Sequence, residues 1–181
     1  MAEIKQIRVC GFGGQGIIIA GTILGHAGVN DGKWVAGSSS YGALARGGPS
    51  RSDVILSDKP IIFPHLIEAD ILIALSQAAY DNYIEDVKRD SIVIYDRQLV
   101  SPRDVRLKQI GIPATNVAIE ELNNKQVANI IILGTTVEMT KITTKDALIA
   151  AIEETVEGRF KDSNLKAVDT GFKLGRMRLW Q

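Results

Sequence analysis

The segment that most restricts this chain is "CGFGGQGI", Cys10 to Ile17. It places Gly11, Gly13 and Gly16 in the spacing Gly-x-Gly-x-x-Gly, directly after the apolar run Ile7–Cys10. An extended run entering such a loop and leaving as a helix is the strand–turn–helix of a layered α/β domain. In that pattern the first glycine permits a tight turn. The second lets a ligand approach the backbone, and the third lets helix and strand pack closely. Ile4–Cys10 is predicted as the strand, and Gly14 to about Asn30 as the helix. That helix is apolar on nearly every side, so it is expected to be buried, with His26 in a structural role.

The remaining chain continues the alternation. Strands are predicted at Lys33–Ala36, Arg51–Leu56 (half-buried, from its alternation), Ile71–Leu75, Ser91–Tyr95 and Ile112–Ile119. A helix is predicted near Gln77–Lys88. From Asn123 the pattern is helical: one helix ends near Thr140, and a second is capped by Thr143 or Thr144 and stopped at Gly158. A last helix is expected from Asp162 or Ser163. The expectation is an α/β, Rossmann-like three-layer domain with a mostly parallel sheet and a helical C-terminal part. With 181 residues, one domain over 1–181 is expected.

Several function classes are disfavoured. Basic and acidic residues balance at 21 each, where a nucleic-acid binder would carry a basic excess. The basic run Arg159, Lys161, Lys166, Lys173, Arg176 and Arg178 reads as a solvated helix face or a contact surface. A single cysteine, Cys10, rules out an intrachain disulfide and a cluster held by this chain alone. Cys10 itself reads as a buried, inert thiol. "MAEIKQIRV" has no long apolar stretch, and no run approaches a membrane span, so a cytoplasmic location without membrane contact is expected. There is no Gly-x-x-x-x-Gly-Lys-[Ser/Thr], no Cys-x-x-Cys and no Gly-x-Ser-x-Gly. No catalytic residue and no metal ligand set is expected. Asp96, at a strand end, reads as a ligand contact or a capping residue. The acid that would bind a ribose at the second strand is also missing, because Val35–Ala36–Gly37–Ser38 stands there.

A second stretch carries more information. "GSSSYGALARGGPS", Gly37–Ser50, reads as a functional loop of about 14 residues. Arg46 precedes Gly47 and Gly48, and arginine is the preferred fork for carboxylate or phosphate. Ser40 and Tyr41 add hydroxyls.

The pair "GFGGQGI" and "SYGALARGG" resembles the gamma subunit of 2-oxoacid:ferredoxin oxidoreductases, most of all the 2-oxoglutarate type. "VANIIILG" and "NLKAVDTGF" resemble that family's C-terminal helices, so the likeness spans nearly the whole chain. Many members carry Pro and Glu where this chain has Ala43 and Leu44. The resemblance implies a complex that decarboxylates a 2-oxoacid, reduces ferredoxin and forms an acyl-coenzyme A. It implies thiamine diphosphate, magnesium and iron–sulfur clusters on other subunits. The implied partners are alpha and beta subunits, with a ferredoxin-like delta subunit as a further candidate. On this reading Gly11, Gly13, Gly14, Gln15, Gly16, Ser40, Tyr41, Arg46, Gly47 and Gly48 form a rim that meets an anionic ligand or a partner. The alternative is a stand-alone or regulatory dinucleotide-binding domain.

Overall fold

The structure is a computed structural model that describes residues 4–41 and 48–178. Six strands form one sheet: β1 (Ile4–Phe12), β2 (Trp34–Tyr41), β3 (Pro49–Ser57), β4 (Ala69–Ala74), β5 (Val87–Asp96) and β6 (Lys108–Ile112). Their order is β2-β3-β1-β4-β5-β6. β1, β4, β5 and β6 run parallel, while β3 lies antiparallel between β1 and β2.

The period-two alternation of the strands divides the core between the two faces. Ile7, Val9, Ile71, Ile73 and Ile94 turn to one face. Cys10, Leu72, Ala74 and Val93 turn to the other. The first face carries α1 (Ile17–Asn30), α3 (Ala114–Glu120), α4 (Ala128–Thr140) and α5 (Lys145–Thr155). α6 (Gly158–Arg178) adds an outer layer against α4, where Gly134 and Gly171 bring the two backbones together. The second face carries only α2 (Gln77–Tyr83), through Ala79 and Tyr80. The three layers are therefore uneven.

That thin face also buries an ion pair. Arg8 donates to Asp53 through Nε at 2.8 Å and Nη2 at 3.0 Å. It also lies 4.6 Å from the Tyr83 ring centre and reaches the half-exposed Asp86 at 3.1 Å. Burial works against the Arg8 charge, and the Asp53 and Asp86 carboxylates outweigh it and raise its pKa. A second polar clasp joins α1 to α5. Asp31, at the C-cap of α1, accepts from Thr144 N and Thr144 Oγ1, both at 2.7 Å, and from the Thr143 hydroxyl. Burial would raise the Asp31 pKa, but these hydrogen bonds and nearby Lys33 hold it below the usual carboxylate value. Thr144 also caps α5 through Ala147 N, as expected.

Several sequence expectations need correction. The helix from Gln77 ends at Tyr83, and Val87 already belongs to β5. Ile112–Ile119 is not a strand: β6 ends at Ile112 and α3 follows from Ala114, where Asp96 receives its first-turn donors. Gly158 opens α6 instead of ending α5. The Gly37–Ser50 loop is shorter than expected, because β2 runs on to Tyr41 and β3 starts at Pro49. β3 is buried continuously from Ser52, so its alternation separates two covered faces instead of core from solvent. α1 is not buried all round either. The His26 side chain is 51 % exposed, 3.9 Å from Glu154.

Candidate functional site

β1 delivers its chain to α1 on one face of the sheet, and β4 delivers its chain to α2 on the other. The carboxyl ends of β1 and β4 therefore flank a topological switch point, where open α/β sheets leave a crevice for ligands. The glycine loop lies at this crevice. A cavity of about 240 Å³ there is lined by Phe12, Gln15, Leu75, Thr115 and Lys125, among others.

The glycines do different work from that expected. Gly11 is extended and paired with Ser50, so it makes no turn. A Cβ there would lie 2.4 Å from Gln15 Oε1 and 2.7 Å from Ile17 Cδ1. Gly13 spends its N–H on the Gly48 carbonyl at 2.9 Å, which removes it as a ligand donor. Gly14 carries the positive φ of 101° with open space around it. Gly16 is the left-handed N-cap of α1, at φ 69°. A Cβ on it would come within 2.4 Å of Asn129 Nδ2.

Gln15 closes the crevice. Its Oε1 accepts from Phe12 N at 2.9 Å, and its Nε2 donates to the Leu75 carbonyl at 2.6 Å. The carboxamide thus bridges the ends of β1 and β4. The expected acid on β2 is absent, and Ser38, Ser39 and Ser40 are exposed there. Beyond the loop, Gly14, Gly16, Asn129, Arg159 and Asn164 border a larger cavity of about 470 Å³ at the start of α1. The first intrahelical bond of α1 runs from Ala20 N to Gly16 O, so the amides before Ala20 are helix-start donors on that side.

The two predicted stretches do meet. Gly11, Ser50 and Tyr41 stand side by side on β1, β3 and β2, and the Gly13–Gly48 bond ties the loop ends together. Arg46 and Gly47 lie outside the described residues. Sequence reasoning missed Asn129, whose Nδ2 donates to Gly16 O at 2.9 Å and so fastens the start of α4 to the loop. One polar residue inside the apolar run "VANIIIL" was the available signal. Asp96 takes its capping role: its carboxylate accepts from Thr115 N, Thr115 Oγ1 and Gln98 N. Cys10 is buried, and desolvation pushes its thiol up to about 12, with Arg8 opposing and Asp53 assisting. Among the described residues, no group of three His, Cys, Asp or Glu side chains is placed to hold a metal ion, and no helix is long and apolar enough to cross a membrane.

The fold and the loop define a mixed α/β domain whose six-stranded sheet carries a glycine-rich loop at its switch point, bridged by its own glutamine. The chain belongs to the pyruvate ferredoxin/flavodoxin oxidoreductase family, whose profile matches residues 6–174. It is 43 % identical over 176 residues to a 2-oxoglutarate synthase subunit KorC of Methanocaldococcus jannaschii, covering 95 % of this chain and 94 % of that one. The solved gamma subunit of a keto/oxoacid ferredoxin oxidoreductase from Geobacter sulfurreducens superimposes with TM-score 0.84 at 35 % identity, covering 96 % of this chain and 99 % of that one. The ketoisovalerate oxidoreductase subunit VorA of Methanothermobacter marburgensis is 32 % identical over 184 residues, which are 98 % of this chain but 38 % of that longer one.

Proposed function

We propose that this chain is the gamma-type subunit of a cytoplasmic 2-oxoglutarate:ferredoxin oxidoreductase, forming a single domain over residues 1–181. The observation that carries this reading is the end-to-end match to a 2-oxoglutarate synthase subunit of nearly the same length. The chain is one part of an enzyme and not an enzyme alone. Thiamine diphosphate, magnesium and the clusters belong to alpha, beta and ferredoxin-like delta subunits, and ferredoxin is met through the assembled complex. With one cysteine, this chain cannot hold a cluster by itself.

Its own contribution is a two-part rim. Gly11, Gly13, Gly14, Gln15 and Gly16 supply one side, and Ser40, Tyr41, Arg46, Gly47 and Gly48 supply the other. Arg46 steers an anionic 2-oxoacid or a coenzyme A phosphate, or pairs with a partner's carboxylate. The end-to-end match to a 2-oxoglutarate synthase subunit, and the lack of an acid on β2, argue against the alternative of a stand-alone dinucleotide domain. The test is to purify the complex with and without this chain and follow ferredoxin reduction. The expected outcome is coenzyme A-dependent turnover that requires this chain and prefers 2-oxoglutarate over pyruvate and 3-methyl-2-oxobutanoate. Equal turnover without the chain overturns the subunit reading, and a preference for another oxoacid overturns the substrate assignment.

A further inference from the structure

The segment between β3 and β4, "KPIIFPHLIE", is not explained by the glycine-loop rim. It leaves β3 at Ser57, which pairs with Ile4, and enters β4 at Ala69. It therefore lies where β1 begins, at the opposite end of the sheet from the glycine loop. Three of its apolar residues are exposed: Ile62 97 %, Ile67 70 % and Phe63 58 %, while Ile61 and Leu66 are half-buried. The loop is nonetheless held. Pro60 and Pro64 restrict its backbone, Ile67 N donates to Gln6 Oε1 at 3.0 Å, and Phe63 packs edge-on against His65 at 5.3 Å. Trp34 is exposed at the same end, level with Ser57 on the neighbouring strand.

We propose that this loop is the docking anchor for a separate subunit of the oxidoreductase, the counterpart of the polypeptide that longer relatives carry in the same chain as this domain. The proposal rests on the subunit reading above. Two arguments support this occupant. First, the domain occurs as 38 % of VorA and as nearly the whole of KorC. Where the two parts share a chain, the tether holds the remainder at an effective concentration of about millimolar. In KorC, where the domain is nearly the whole chain, there is no such tether, so the domain's own surface must supply that affinity. Rigid, outward-facing apolar side chains do so at low entropic cost. Second, three such side chains present roughly 400 Å² of apolar surface, the size of the largest and often functional patch on a lone soluble protein. That is about half of one partner's share of a standard interface, near 800 Å². It suits the desolvated centre of a larger heterologous contact, with the polar loop ends as its rim.

The test uses the co-expressed complex. Ile62→Asp/Ile67→Asp should weaken retention of this chain by its partner subunits at least about 30-fold, the effect of one interface hot spot. Ile62→Val should retain wild-type assembly. The melting temperature of the uncomplexed double variant should match wild type. Should that variant not fold, hydrogen exchange on the wild-type chain decides: amides 61–68 should gain protection on assembly. Wild-type retention by the double variant, or no gain in protection, overturns the proposal. Loss of self-association with intact partner binding overturns it in favour of a second copy. A wild-type chain that joins no partner at all overturns both this proposal and the subunit reading.

Discussion

Replacing Gly16 by Ala tests whether the glycine loop is shaped by packing or by a ligand. Gly16 sits at φ 69°, where a Cβ costs about 1–2 kcal/mol. The new Cβ would also fall 2.4 Å from Asn129 Nδ2 and displace it from the Gly16 carbonyl. A lost hydrogen bond of this kind costs about 1 kcal/mol. Gly16→Ala should therefore cost about 2–3 kcal/mol, a fall in melting temperature of roughly 5–10 °C for a chain of this size. Gly14→Ala is the internal comparison. Its φ is also positive, but nothing lies within 4 Å of its Cβ, so it should lose only the backbone component. Asn129→Ala alone should cost about 1 kcal/mol. The double variant Gly16→Ala/Asn129→Ala should cost about the same as Gly16→Ala, because the bond is lost once and the clash is gone. Urea unfolding of all four variants, followed by circular dichroism, gives the cycle. Additive losses, or equal losses at Gly14 and Gly16, would refute the assignment of Asn129 as the residue that shapes the loop.

Three further outcomes are expected. Asp53→Ala strands the buried Arg8 charge and should cost about 3–5 kcal/mol, whereas Asp86→Ala at the exposed end should stay within about 1 kcal/mol; chemical denaturation separates the two. Asp31 has a lowered pKa in the folded chain, so its contribution is present above the unfolded value near 3.9 and is lost as pH falls through the lower folded value. The gap in unfolding free energy from urea titration between wild type and Asp31→Asn should be about 1 kcal/mol at neutral pH, after allowance for partial exposure, and should close on acidification. Cys10, pushed up to about 12 and buried, should resist thiol reagents in the native chain at pH 8 and react once urea unfolds it; rapid labelling of folded protein would contradict its placement.

The parts of the fold with strong local signals were legible in the sequence. The apolar run before Gly11 and the long apolar stretches of α1 and α4 announced a strand, a buried helix and their order. The Thr144 cap did the same for α5. Short elements with mixed composition were not legible. "IPATNVAI" is β-branched enough to resemble a strand, yet Asp96, far away in sequence, supplies the donor-accepting cap that makes it a helix. Gly158 has the look of a stop, but Val156 already ends α5, which leaves the glycine free to start α6. In the candidate site the motif was legible but its working parts were not. Gly-x-Gly-x-x-Gly carries no sign that Gln15 will fold back across the crevice, since that depends on the Leu75 carbonyl arriving from β4.

The seam between α4 and α6 has a consequence for how this domain can change over time. At Gly171 a Cβ would lie 2.3 Å from the Ile131 carbonyl, and at Gly175 it would lie 2.7 Å from Glu138 Cβ. Every amino acid reachable from a glycine codon by one base change is larger than glycine. Neither position therefore has a harmless neighbour in the genetic code, and an intermediate that keeps the two helices at this distance does not exist. A side chain at either position would therefore have to be matched by a shift of the whole of α6 away from α4.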